Sequence, residues 1–160
     1  MGRWPTGVAV VTSRDARGDA GLTVNGLISV SLTPMRLLIS LTEAADTTAV
    51  IRRSGVFAAN FLSAAQRAVS ERFAQTMTPA EKFAGLAVRR GLTGAPLIDG
   101  SVAQVECRVR DETRAGDHVL FQGDVVGLYD GPDDTPLVFY HSGYAEPTGE
   151  RGLTLAPPRR

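Results

Sequence analysis

Short extended runs bounded by turn residues recur along this 160-residue chain and set its fold class. Six such runs, rich in Val, Leu and Ile, cover residues 7–12, 35–41, 56–62, 101–112, 118–129 and 135–140. The turns between the last three runs are short enough to join neighbouring antiparallel strands. Because strands and helices do not alternate regularly, the pattern argues against a doubly wound parallel sheet and predicts an antiparallel β-barrel with short helices.

Capping residues place the short helices between the strands. Asp46 and Gly55 bracket a helical segment as its N-cap and its C′ glycine. Ser63 and Gln66 have the spacing of a capping box, which predicts a second helix through about residue 75. A Thr-Pro pair and a glutamate in residues 78–81 predict one more helical turn.

One strand shows a clear two-residue alternation. Residues 101–112 place Cys107 among alternating apolar side chains, so we expect it to be a small core residue. The same alternation predicts that four polar side chains face outward, namely Gln104, Glu106, Arg108 and Arg110.

Composition excludes several classes of function. Seventeen Lys and Arg balance seventeen Asp and Glu, and this zero net charge gives no general attraction for nucleic acid or an anionic membrane. The apolar runs fall short of the ~20 residues that span a bilayer, so we expect a soluble, cytoplasmic protein. Cys107, His118 and His141 are too few for an internal disulfide or a Zn or Fe–S site, so no metal is expected.

The segment covering residues 21–34 carries glycines, hydroxyls and amides among apolar residues. In an extended chain, Ser29 and Ser31 place both hydroxyls on one side and Val30 on the other, an arrangement suited to a phosphate or a polyol. The alternative is an edge strand with a polar face. The residues alone leave both interpretations open.

Thr47 and Thr48 open the helix that follows Asp46, where unpaired N–H groups and the helix dipole favour an anion. The alternative is that the two threonines only begin the helix. The dinucleotide, P-loop and serine-hydrolase fingerprints are absent from the sequence. A phosphate-containing ligand therefore has this helix start and the residue 21–34 segment as its candidate site.

Six segments together resemble the flavin reductase-like family, namely residues 4–12, 23–31, 55–63, 81–83, 106–107 and 116–118. The resemblance implies a Greek-key split β-barrel in residues 1–146. Residues 147–160, which end in a Pro- and Arg-rich stretch, are expected to be a flexible tail. It also implies a homodimer that binds FMN or FAD and transfers hydride to it from NADH or NADPH. Members often serve as the small component of two-component monooxygenases.

The resemblance also implies roles for individual residues. Thr23, Val24 and Asn25 would lie along the isoalloxazine ring. Ser29, Val30, Ser31 and Thr47 would contact the ribityl and phosphate groups. The remaining cofactor-binding residues would be Asn60, Phe83 and Tyr144, the last two at the edges of the flavin pocket. His118 would position the nicotinamide, with a turn hydrogen bond as its alternative role; Phe83 has a core position as its alternative.

Two other functions are compatible with the same residues. A dimeric flavin-binding protein without turnover, acting as a carrier or redox sensor, needs few acid or base groups. An oxidase of pyridoxamine phosphate on a similar barrel needs a basic cluster for the substrate phosphate. Apart from the tail, only residues 52–53 and 89–90 are paired arginines, at positions where solvated side chains are expected.

Overall fold

The structure is a computed structural model that describes residues 3–132 and 135–145. The strands, in chain order, are β1 Thr6–Gly7, β2 Ala9–Asp15, β3 Gly18–Val24, β4 Leu27–Leu32, β5 Met35–Thr42, β6 Val56–Phe61, β7 Val88–Arg90, β8 Pro96–Ile98, β9 Ala103–Ala115, β10 His118–Asp130, β11 Val138–Tyr140 and β12 Gly143–Ala145. The helices are α1 Asp46–Ser54, α2 Arg67–Ala74 and α3 Pro79–Phe83, and a 3₁₀ turn at Ala64–Gln66 precedes α2. The predicted tail, residues 147–160, lies outside the described residues.

A seven-stranded antiparallel sheet forms the body of the fold, in the order β3-β2-β6-β9-β10-β5-β4. Its two edge strands, β3 and β4, are consecutive in the chain and are joined by Asn25 and Gly26. The Ser40 N–H donates to the Gly26 carbonyl at 2.8 Å, which ties this link to β5. The sheet therefore curls until its opposite edges meet at one corner. Two smaller sheets, β1-β11-β12 and β7-β8, accompany it.

The mainly β, antiparallel architecture with short helices agrees with the prediction. The interior of the sheet is filled by fully buried side chains such as Ile39, Phe57 and Phe121. Cys107 lies among them with no exposed surface, so its predicted core position is confirmed. Burial raises the pKa of its thiol to about 12, which keeps it protonated and unreactive.

Two side chains predicted to face solvent from β9 are buried instead. Gln104 is 3% exposed and Glu106 is fully buried. The reason is that the chain around the β7-β8 hairpin covers this face of the strand. Glu106 accepts hydrogen bonds from the Leu92 and Thr93 N–H groups, and Gln104 donates to the Ile98 carbonyl. The side chains of β9 alternate between its two faces as predicted, but both faces of this part of the strand are covered.

Helix caps follow the sequence signals with one correction. The capping boxes at residues 63–66 and 78–81 are both formed. Asp46, expected as an N-cap, is instead the first residue of α1; Ala45 holds the N-cap position without a side-chain bond. Gly55 ends this helix in the left-handed conformation at φ 69°, as predicted.

Within residues 3–132 and 135–145, no helix combines the length and the apolar character that crossing a membrane requires.

Candidate functional site

A groove follows the free edge of β3, between this strand and the helices that pack on it. All three helices contact β3, and β2 pairs with its other side. Two cavities lie along the edge, and Ala74 of α2 lines both of them. We call the two cavities together the β3 groove, and name them the polar end and the apolar end after the side chains that line them.

The polar end has a volume of about 220 Å³ and lies at the start of α1. Thr47 lines it, is only 2% exposed, and makes no side-chain hydrogen bond within the part of the chain that the structure describes. The N–H groups in the first turn of a helix have no acceptor within the helix. Here the Thr48 N–H donates to the Ala45 carbonyl at 3.0 Å. Among the described residues, the donors left at this end of the groove are therefore the Thr47 hydroxyl and the N–H groups of Asp46 and Thr47.

Lys82 of α3 forms another wall of the polar end. It is 9% exposed, and its ammonium donates to the Gly21 and Phe73 carbonyls, each at 3.2 Å. Burial lowers the pKa of Lys82, an effect that the nearby Asp46 carboxylate opposes. Among the described residues, no carboxylate forms a salt bridge with this ammonium.

The apolar end has a volume of about 240 Å³. Its lining residues are Val8, Thr23, Val24, Asn25, Ser70, Ala74, Phe139 and Tyr144. The Thr23 hydroxyl donates to the Ser70 carbonyl at 2.7 Å, which ties β3 to α2. The hydroxyls of Ser70 and Tyr144 share a hydrogen bond of 2.9 Å. Two helix–strand contacts therefore fix the walls of this cavity.

The Tyr144 ring is held on both sides. Phe139 packs edge-on against it with ring centroids 5.5 Å apart. The Arg67 guanidinium lies 5.2 Å from the centroid of the ring, within the range of a cation–π contact. The ring thus forms a fixed aromatic wall where β12 meets α2.

A larger cavity of about 890 Å³ adjoins the apolar end and shares Val8, Val24 and Asn25 with it. We call it the wide cavity. None of the described residues that line it carries a charge, and two of them, Trp4 and Ile28, are 72% and 59% exposed. It therefore presents an uncharged and largely apolar surface at the corner where β3 passes into β4.

Three predicted ligand-binding residues lie on β4, away from the groove. Ser29 pairs with Leu37, and Ser31 pairs with Arg36 at the start of β5, with a register shift between the two pairs at Val30. From there β5 runs on to Thr42, about 20 Å along an extended strand, before α1 begins. In one chain, therefore, Ser29, Val30 and Ser31 do not line either end of the β3 groove.

Two other predicted site residues, Phe83 and Asn60, do not line either end of the groove and make contacts within the protein instead. Phe83 packs edge-on against Phe73 at a centroid distance of 5.0 Å, next to Gly21. Asn60 is fully buried; its amide donates to the Val10 carbonyl at 3.0 Å and its oxygen accepts from the Ile98 N–H at 2.7 Å. Both polar ends of the Asn60 amide are thus used within the protein, and no lining of the groove includes it.

His118 begins β10 and lies opposite Thr42, just before the segment that lines the polar end. Its Nδ1 is 2.8 Å from Asp117 Oδ1, and its side chain is 40% exposed. The hydrogen bond with His118 lowers the pKa of the Asp117 carboxyl, so Asp117 is ionised at neutral pH. The Glu43 N–H donates to the Asp117 carbonyl at 2.9 Å and joins this turn to the residues before α1.

Comparison with known proteins assigns the chain to a family. A family model described as a flavin reductase like domain matches residues 1–148. The chain belongs to the flavin reductase-like family. A flavin reductase from Pseudomonas putida is 37% identical over 145 residues, which cover 90% of this chain and 84% of that protein.

Two further relatives extend the comparison. The reductase subunit HsaB of a flavin-dependent monooxygenase from Rhodococcus jostii is 31% identical over 144 residues, covering 90% of this chain and 73% of that protein. The structure of the NADH:FAD oxidoreductase SgcE6 from Streptomyces globisporus aligns with a TM-score of 0.87 at 31% identity, covering 92% of this chain and 89% of that one. The predicted family, split-barrel fold and enzyme class, a flavin reductase, are confirmed.

The β3 groove of this flavin reductase-like chain has the chemistry that a flavin nucleotide requires. Thr47 offers an unpaired hydroxyl at the polar end, and Lys82 carries a positive charge there. Val8, Val24, Phe139 and Tyr144 offer apolar and aromatic surface at the other end. An anionic phosphate and a flat ring system therefore each have a matching part of the groove.

The sequence did not identify two groove residues, Lys82 and Ser70. A lysine next to a glutamate in a short helix is normally solvated, and a serine in a helix normally hydrogen-bonds locally. The available signal for Lys82 was the capping box at residues 78–81, which fixes the helix one residue before it. Nothing local distinguishes Ser70, because its role depends on β3 and β12 reaching it.

Proposed function

We propose that this chain reduces FMN or FAD with NADH or NADPH in the β3 groove. The observation that carries the proposal is the division of the groove into a polar end with unpaired donors and an apolar end with an aromatic wall, both on the same strand edge. A flavin nucleotide has the same division, since it joins an anionic phosphate to a flat aromatic ring system.

The residues of the apolar end hold the ring system. Residues 23–25 pass along the edge of the cavity, and Tyr144 stands opposite, fixed by Ser70. Flat apolar walls favour a stacked aromatic ligand and exclude water from its faces. At the polar end, Thr47 and the first turn of α1 donate hydrogen bonds to the phosphate.

His118 positions the nicotinamide in this proposal. In the tautomer whose Nδ1–H donates to Asp117, Nε2 is an acceptor on an exposed side chain. An acceptor there suits an amide N–H such as that of a carboxamide. When the two nucleotides are bound, the nicotinamide C4 supplies a hydride to flavin N5, so the protein's contribution is to bind and orient them. His118 is a positioning residue and transfers no proton.

A second copy of this chain covers the wide cavity. Trp4 and Ile28 are exposed there, and no charged residue lines the cavity within residues 3–132 and 135–145. Large exposed apolar patches are uncommon on monomers and mark association sites. The net charge of zero means that two copies do not repel each other. A homodimer assembled through this corner follows.

A monooxygenase is the proposed consumer of the reduced flavin. The relative HsaB is named as the reductase subunit of such an enzyme. The reduced flavin leaves the β3 groove of this chain and is consumed by such an oxygenase in the cytoplasm, where both proteins are expected.

One assay tests the proposal directly. The purified full chain is mixed with NADH or NADPH and with FMN or FAD, and loss of nicotinamide absorbance is followed. We expect oxidation of the nicotinamide that requires both the protein and free flavin. A rate no higher than the protein-free rate with all four pairs contradicts the proposal. A protein that holds flavin through dialysis but oxidises no nicotinamide is instead a flavin carrier.

A further inference from the structure

The β9-β10 hairpin that carries His118 is exposed around its tip. Residues 110–117 are all exposed, and the Asp117 side chain is 92% exposed. β6 pairs with β9 only from Ala103 to Arg108, and among the described residues no other strand continues that side of β9. The outer part of the hairpin is therefore held on its β9 side by contacts other than a strand ladder.

The end of helix α1 takes the place of β6 there. The carbonyl of Gly55, which ends the helix, accepts a hydrogen bond from the Val109 N–H at 2.8 Å, directly after the last pair of β6 and β9. Arg52 lies in the last turn of α1, and its Nε donates to Glu112 Oε1 at 2.7 Å. A cation in the last turn also suits the negative end of the helix dipole. The end of α1 thus contacts β9 at two successive points along the hairpin.

The same guanidinium reaches the strand on the other side of β10. Glu43 directly follows β5, and its two carboxylate oxygens accept from Nη1 and Nη2 of Arg52 at 2.6 and 2.9 Å. The Glu43 N–H in turn donates to the Asp117 carbonyl at 2.9 Å. Because β10 lies between β9 and β5 in the sheet, Arg52 joins both neighbours of the strand that begins at His118.

The bonding pattern of Arg52 makes this contact stronger than an ordinary surface ion pair. Single exposed pairs contribute little to stability, whereas bidentate arginine–carboxylate pairs and networks of several charges contribute more. Arg52 takes part in both. Hydrogen bonds with Glu43 and Glu112 raise the pKa of Arg52, and the bond with Arg52 lowers the pKa of the Glu43 carboxyl. The link between α1 and β5 is therefore fully charged at neutral pH.

We propose that Arg52 is a positioning residue that fixes His118 in place for the nicotinamide. This inference rests on the proposed function, in which His118 contacts the nicotinamide, and adds the group that holds its hairpin. Arg52 itself touches neither nucleotide. Its loss frees the tip of the hairpin, so His118 is less often in place to accept a hydrogen bond. Thr47, which lines the polar end of the groove, lies at the other end of α1, so flavin binding does not respond.

Steady-state kinetics of the full chain, with NADH and FMN varied in turn, test this role. In Arg52→Gln, we expect the KM for NADH to rise about two- to threefold with the KM for FMN unchanged, because the variant loses at most the hydrogen bond of His118. The matched control is Arg53→Gln. Arg53 is the next residue along α1, but its Nε donates to Asp15 Oδ2 at 2.6 Å, on β2, which pairs with neither strand of the hairpin. We expect both KM values of the control to equal those of the unmodified chain.

A double-mutant cycle with His118→Ala separates positioning from a general structural role. If Arg52 acts through His118, adding Arg52→Gln to His118→Ala raises the KM for NADH no further. The double variant then stays at about threefold, whereas independent effects multiply to about six- to ninefold. Multiplied effects overturn the inference, as do an unchanged KM for NADH or an equal rise in both KM values in Arg52→Gln.

A second variant keeps the test decisive if Arg52→Gln does not fold. Glu112→Gln removes only the bond to β9 and leaves the bidentate pair with Glu43 in place. We expect the same rise in the KM for NADH, absent in the His118→Ala background, and the same contrary outcomes overturn the inference. An unchanged KM for NADH in His118→Ala alone contradicts the proposed role of His118. No oxidation of NADH by the unmodified chain contradicts the proposed function itself.

Discussion

The two edges of the seven-stranded sheet end the same barrel in opposite ways. β3 is covered by three helices, and its Gly21 carbonyl accepts a hydrogen bond from Lys82. β4 pairs only with β5 and carries exposed apolar side chains, with Ile28 59% and Leu32 80% exposed. The covered edge has fixed donors beside a cavity. The open edge has apolar surface and no such donors.

The contrast shows how one sheet separates ligand binding from association. A small ligand needs groups that are already held in place, and helix ends packed on a strand edge supply them. An open, apolar edge strand is a template for pairing with another chain. We therefore propose β3 as the ligand-binding edge of this protein and β4 as its subunit-contact edge, joined at Asn25 and Gly26.

The largest expected effect is on the covered edge, at Gly21. In Gly21→Ala, the new Cβ lies 2.6 Å from the Phe73 ring and must displace it. We expect the free energy of unfolding to fall by about 1–3 kcal/mol and flavin binding to weaken, since Phe73 and Phe83 hold α3. Chemical denaturation measures the stability.

Gly7→Ala is the control for this substitution, because a Cβ at Gly7 meets nothing within 4 Å. We expect the free energy of unfolding of the Gly7→Ala variant to change by less than about 0.5 kcal/mol. Equal losses in the two variants would show that the contact with Phe73 does not matter.

The open edge should respond through assembly. In Ile28→Asp, a carboxylate enters the uncharged wide cavity, and we expect the dimer dissociation constant to rise by about 30-fold or more. Analytical ultracentrifugation measures the change. Leu92→Asp is the control, since Leu92 is 67% exposed but does not line that cavity. An unmodified chain that is monomeric at micromolar concentration contradicts the dimer.

The sequence predicted the strands and caps well because their signals are local. Turn residues and the capping boxes at residues 63–66 and 78–81 act within a few positions. Burial of Glu106 was not predictable, since it depends on the residue 91–95 loop folding over β9. Lys82 was missed for the same reason, because its partners lie on β3 and α2. The residues that distinguish the two edges are thus set by contacts distant in sequence.

Substitutions of two adjacent threonines, Thr47 and Thr48, test whether a single hydroxyl at the polar end of the groove contributes to FMN binding. Thr47 lines the cavity and its hydroxyl makes no hydrogen bond within the described residues, whereas the Thr48 hydroxyl donates to the Thr42 carbonyl at 2.8 Å. In Thr47→Val, we expect FMN to bind about five- to tenfold more weakly with little change in stability. In Thr48→Val, we expect about 1 kcal/mol lower stability and unchanged FMN affinity. The reverse pattern would place the phosphate elsewhere.

The smallest expected effect is at His118, near the covered edge, and concerns the binding of NADH as distinct from that of FMN. His118 lies beside the polar end, its side chain is 40% exposed, and it is hydrogen-bonded to Asp117. In His118→Ala, we expect the KM for NADH to rise about threefold, the value of one exposed hydrogen bond, with the KM for FMN unchanged. Steady-state kinetics with each substrate varied in turn measures both. A larger rise for FMN than for NADH would move His118 to the flavin and leave the nicotinamide without its proposed contact.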